Sequence, residues 1–187
     1  MLDVRKMRNK FLIIGVWSLL CIGCAPKENS FLISENKVGP LTKDTAVKDI
    51  VTVFAQDSVV QDTTKLQMGA KAKKIQIFEK GGKHLLTLTS NADSIPTIEN
   101  VRVFDARYVS DKGIGLNSTF QDIQKGYGIK KIVTTLNSIV VFPKGSNLYF
   151  TIDKAELPDN LRYATNSIEA VQIPNTAKIK YLMIGWE

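Results

Sequence analysis

Hydrophobic positions along this chain fall into three patterns: one unbroken run, two helical stripes and a series of alternating segments. The run is residues 11–23, in which Ser18 alone is polar. It is shorter than the roughly 20 residues a spanning helix needs and matches the apolar core of an export signal, roughly 7–15 residues. The first stripe is Val47, Ile50, Val51 and Phe54, with helical spacing that predicts a helix over 44–54 and Thr45 as its N-cap. Val51, Thr52 and Val53 are β-branched and lower helix propensity, so that prediction rests on periodicity. The second stripe, in 117–127, repeats the design. Aligned without a gap, Thr45 meets Ser118, Val47 meets Phe120, Ile50 meets Ile123 and Phe54 meets Tyr127. Ser118 and Gln121 have capping-box spacing, and Gly126 and Gly128 supply a stop.

The alternating segments predict strands. Lys74 to Lys80 and Lys83 to Thr89 flank Gly81-Gly82, the signature of a two-residue hairpin loop. After the second helix, 132–136, 138–142 and 148–152 follow the same pattern, with turn residues at 143–147. Short strands are expected at 31–34 and 98–104, and 177–186 reads as the last strand. The fold predicted is α+β, built from two strand–helix–hairpin halves at about 31–97 and 98–187. Their strands form a mostly antiparallel sheet with the helices packed on one face. Chance likeness between two short amphipathic helices is the competing explanation of the repeat.

The apolar run decides where the chain is expected to work. Arg8 and Lys10 precede it as a positive leader, and Cys21-Ile22-Gly23-Cys24 ends it. That ending resembles the bacterial lipobox, with Cys21 standing where Leu is usual. The resemblance implies cleavage before Cys24 and acylation of its sulfur, so that residues 1–23 are a signal peptide, 24–30 a lipidated tether and 31–187 a single domain. An ordinary secretory signal cut near Ala25-Pro26 is the alternative. Asp3 ahead of the basic leader is unusual, and Met7 makes a cleaner start. Ala25 is not the Asp that marks inner-membrane retention in enteric bacteria, which implies the outer membrane and leaves the leaflet open.

Composition changes the picture in two ways. The formal charge of +7 is partly the leader's, through Arg5, Lys6, Arg8 and Lys10 against Asp3, so the processed chain is only mildly basic. A mildly basic exported chain is not expected to bind nucleic acid. Both cysteines, Cys21 and Cys24, fall within the leader and its cleavage site, leaving the domain without a disulfide or thiolate metal site.

Chemistry-bearing residues are sparse. His84 is the only histidine, beside the expected hairpin turn, where an exposed flanking role is the ordinary one. Zinc would then have to take mostly carboxylates, which it rarely does, and neither a metal nor a cofactor is expected. Asp105 with Asp111, or Asp153 with Glu156, are the carboxylate pairs available for acid–base work or calcium, without the spacing of a calcium loop. Gly113-Ile114-Gly115 and Gly126-Tyr127-Gly128 lack the flanking residues of a phosphate loop. Lys65, Lys71, Lys73 and Lys74 form a basic stretch that fits a solvated linker better than a lipid-headgroup site.

Several segments together carry a family resemblance: Val38-Gly39, Leu41-Thr42 and Thr45; the turn and helix from Gly115 to Ile123; and Lys180, Ile184 and Trp186 at the end. They look like small, stress-regulated outer-membrane lipoproteins of unknown function. The resemblance implies a lipid anchor and an α+β fold and supplies no catalytic residue. The leading expectation is a non-enzymatic envelope module that binds another envelope component, with Trp186 as the candidate contact because a Trp beside a chain end packs incompletely; the alternative is a last strand covered on both apolar faces, with Trp186 in the core. An envelope hydrolase or ligand carrier using carboxylates is the rival, and a purely structural lipoprotein the third possibility.

Overall fold

The computed structural model describes residues 30–61 and 72–186; Cys24, its leader and tether, and Lys65 and Lys71 lie outside them. Among the described residues, twelve strands and three short α-helices follow in order. The first half contains β1 (Leu32–Ser34), β2 (Lys37–Val38), β3 (Leu41–Thr42), α1 (Ile50–Val53), β4 (Ser58–Gln61), β5 (Lys74–Phe78), β6 (His84–Ser90) and β7 (Ile98–Val103). The second contains β8 (Val109–Ser110), α2 (Phe120–Tyr127), β9 (Ile129–Thr134), β10 (Ser138–Pro143), β11 (Leu148–Asp153), α3 (Asp159–Arg162) and β12 (Ile179–Gly185).

Strand content decides the architecture, so the α+β expectation is corrected to a mostly β fold. An eight-stranded sheet in the order β4-β5-β6-β7-β12-β11-β10-β9 carries it, beside a four-stranded sheet β3-β2-β1-β8. Every pairing in the large sheet is antiparallel, and β1 with β8 is the parallel pair of the small one. The first expected helix shrinks to a 3-10 turn at Val47–Asp49 and one α turn, as its β-branched run disfavours helix. Thr45 does not cap it; its Oγ1 accepts the Thr42 N–H instead. In the second helix the cap shifts by one residue. The Asp122 carboxylate accepts the Thr119 N–H at 2.8 Å, while the Ser118 hydroxyl accepts the Gly115 N–H. Gly128, at φ +69°, ends the helix in the left-handed region.

The order of the large sheet places two four-stranded meanders back to back, joined where β7 pairs with β12. Their details coincide. Ala46 bridges Thr97 as Thr119 bridges Lys178, and the Val47 N–H reaches the Pro96 carbonyl as the Phe120 N–H reaches that of Ala177. Bulges fall at Thr89/Ser90 opposite β7 and at Thr151/Ile152 opposite β12, with Glu99 and Lys180 as the extra residues.

That second bulge changes the phase of β12. Strict alternation would place Ile179 with Tyr181 and Met183; the extra Lys180 lets Ile179 point inward with Leu182 and Ile184, and leaves Tyr181 and Met183 outside. The Gly81-Gly82 loop is also longer than two residues: Phe78 pairs with His84, and the Glu79 N–H bonds the Lys83 carbonyl. One core cluster fills the space between the inward face of the large sheet and a layer made of the small sheet, α1, α2 and the 154–178 connection.

Candidate interaction face

Side chains on the other, outward face of the large sheet are mostly half-buried or exposed, and several pack against one another in a row across the strands. The His84 ring lies between Phe78 and Phe104, at centroid distances of 4.7 and 3.9 Å and nearly parallel to both. The Arg102 guanidinium continues the row, 4.7 Å from the Phe104 centroid and 3.9 Å from that of Tyr181. Each such contact is worth roughly 0.5–2 kcal/mol. The Arg102 Nε is buried without a hydrogen-bond partner among the described residues. Beyond Tyr181, the Lys180 ammonium pairs with Asp153 at 2.6 Å.

His84 is therefore not the exposed turn residue expected. Cross-strand pairing opposite Phe78 places it inside an aromatic sandwich, and its Nε2 lies 3.1 Å from the Leu86 carbonyl and 3.0 Å from Thr87 Oγ1. Burial lowers its pKa, the Leu86 bond opposes that, and Arg102 adds to the lowering, which favours the neutral ring.

A second aromatic pair lies across β10 and β11. Phe142 and Tyr149 stack at 5.7 Å, Lys131 Nζ sits 4.8 Å from the Phe142 centroid, and the Asn100 amide donates to the Tyr149 hydroxyl from β7. Beside them lies an open cavity of about 550 Å³.

The carboxylates do not assemble into an acid–base pair. Asp153 accepts the Ala155 N–H and the Lys180 ammonium; Glu156 accepts the Lys178 N–H; Asp111 accepts the Tyr127 hydroxyl. Asp105 has a fully buried side chain held by Arg107, at 2.6 Å, and Lys83, at 3.0 Å. Burial pushes its pKa up, but the hydrogen bonds from Arg107 and Lys83 outweigh it and bring the carboxyl down from 3.8 to about 2. A depressed carboxylate stabilises the fold fully above the unfolded value and loses that contribution as pH falls through the folded value. The window is therefore pH 4 down to 2, and the size about 2 kcal/mol. Asp105→Asn should lose stability at pH 7 and approach the parent as pH falls through 2, which denaturant melts at pH 7, 4 and 2 will read as a shrinking difference.

Trp186 does not pack incompletely as expected, although it lines the cavity beside Tyr149. It is 4% exposed, its main-chain N–H bonds the Glu99 carbonyl at 2.7 Å, and its indole N–H bonds the Glu35 carbonyl at 2.9 Å. The turn after β1 supplies the acceptor that a buried indole needs, so the ring packs as core. Arg102, Asn100 and Tyr149 went unnoticed in the sequence, since only strand pairing brings them together. Lys74 opens β5 rather than lying in a linker, and Lys73 directly precedes it with its N–H donated to the Ser90 hydroxyl. Among the described residues no three metal-ligating side chains converge, and no helix is long and apolar enough to cross a membrane.

No protein-family model and no curated protein matches the chain. Among solved structures, the crystal structure of the uncharacterized protein YfeY from Escherichia coli is similar, with a TM-score of 0.54 and 14% sequence identity. The match covers 82% of this chain and 99% of that one. At that identity the likeness is one of fold alone.

Proposed function

We propose that this chain is a lipid-anchored protein of the bacterial envelope, acylated at Cys24, that serves as a non-enzymatic binding module for another envelope protein at the outer membrane. The observation that carries the binding reading is the outward face of the large sheet, where Phe78, His84, Phe104, Arg102 and Tyr181 stack in a half-exposed row. Aromatic and Arg side chains held rigidly and half-exposed are the composition of interaction hot spots. The engagement of Asp105 and Asp153 in ion pairs favours a binding role over the hydrolase alternative. The anchor rests on the leader and on Cys24 at the end of its apolar run.

Two or more acyl chains, at about 0.8 kcal/mol per buried methylene, hold a protein on a membrane where a polar tether cannot. Cys24→Ala is expected to abolish incorporation of a fatty-acid probe and to leave the protein either released or uncleaved. A photo-crosslinking residue at Thr87, on the outward face, should capture a membrane-associated protein in the parent and lose it in Cys24→Ala. Label that persists in the variant would sink the anchor, and crosslinks indifferent to it would sink the envelope partner.

A further inference from the structure

The two meanders of the large sheet match position for position, and at one end of the outward face they are filled differently. Leu86 opposite Val103 in the first half corresponds to Leu148 opposite Ile184 in the second. Phe104 donates its main-chain N–H to the Leu85 carbonyl at 2.9 Å, as Gly185 does to that of Asn147 at 3.0 Å. By this correspondence His84 matches Ser146, and Phe104 matches Gly185. In the first half those positions hold the stack of three rings. In the second they hold a hydroxyl and no side chain, and the cavity of about 550 Å³ opens there.

Nothing in the backbone demands a glycine at 185. Its φ is not in the left-handed region, and a Cβ would meet only the Tyr149 ring at 3.6 Å, an ordinary contact. Such a glycine, at the end of β12, leaves room for something else to approach the Tyr149 ring closely. We propose that this trough binds a small planar aromatic or heteroaromatic ring bearing an anionic group, the ring seated where the first half seats its own. The cavity is of the size that holds small ligands, about 300–1,000 Å³. Phe142 and Tyr149 line it as a paired aromatic wall, and Asn100 holds the Tyr149 hydroxyl in place. Lys130 lines its rim and Lys131 sits over Phe142 nearby, two exposed cations beside the Glu99 carboxylate among the described residues, which favours an anion. The proposal deepens the binding-module reading, resting on it for the choice of face and not for the protein partner.

Flavin mononucleotide is a suitable probe, since stacking on a tyrosine quenches its fluorescence. Titrated into the full acylated chain in detergent, it is expected to saturate at one site. Riboflavin, which lacks the phosphate, and inorganic phosphate, which lacks the ring, should bind at least tenfold more weakly. Gly185→Phe, which restores the ring of the first half, should weaken binding at least tenfold; Val60→Phe, on the exposed edge strand β4, should not. The double variant Lys130→Glu, Lys131→Glu, changing two exposed side chains, should also weaken it and covers the case in which Gly185→Phe fails to fold. Absence of saturation, equal binding of riboflavin, or undiminished binding to either trough variant overturns the proposal. Lost crosslinks from Thr87 with flavin binding intact would instead overturn the protein-partner reading alone.

Discussion

Trp186→Ala should cost about 3–5 kcal/mol of stability, in the range seen when a large aromatic is cut from a core. Three observations support the size. The ring is 4% exposed, its indole N–H reaches the Glu35 carbonyl, and the main chain at the same residue is tied to Glu99. Removing it opens a void between the end of β12 and the turn after β1. It also takes from the Glu35 carbonyl one of its two donors, leaving the Asn147 amide at 3.2 Å. For a chain of this size the melting temperature should fall by roughly 10 °C. Trp186→Phe keeps most of the packing and loses the hydrogen bond, so its cost should be nearer about 1 kcal/mol. A thermal melt of both variants decides the matter; an unchanged Trp186→Ala melt would return this residue to the surface.

Ile50→Ala and Ile123→Ala should each cost about 2–5 kcal/mol, while Lys48→Ala and Gln121→Ala stay near neutral. Both isoleucines are fully buried, each one turn beyond a residue whose N–H caps the strand of its own half. Denaturant midpoints with unchanged slopes would report the cost as a loss of native packing. A large cost at Ile50 with none at Ile123 would contradict the equivalence of the two helices.

The alternating segments made most strands readable, because burial of one sheet face imposes period two directly on the residues. What alternation hides is the bulge. Lys180 is unremarkable in its own strand, and only the count of residues opposite Thr151 and Ile152 reveals that it is extra. The misphased β12 followed from that. The first helix is shorter than its stripe suggests because the spacing from Val47 to Phe54 is equally satisfied by a 3-10 turn and a single α turn. The candidate face was less legible still. Phe78, His84, Phe104, Arg102 and Tyr181 are scattered over more than a hundred residues, and antiparallel pairing alone makes them a row. Lys154 is a similar case: a buried ammonium satisfied by the carbonyls of Leu136 and Ala164, with no local pattern to announce it.

Aromatic and cationic side chains left half-exposed on a sheet face have two physical uses. They can stiffen the sheet through contacts with one another, or they can present a rigid surface to a partner. Melting experiments respond to both, so the distinction requires a probe of proximity in the assembled envelope. Photo-crosslinking residues placed one at a time at Thr87 and Met183 on the outward face, and at Lys48 and Lys125 on the helical side, provide it in intact cells. The account predicts one discrete crosslinked protein from Thr87 and Met183 and none from Lys48 or Lys125. Crosslinks from the helical side alone, or from no position at all, would contradict it.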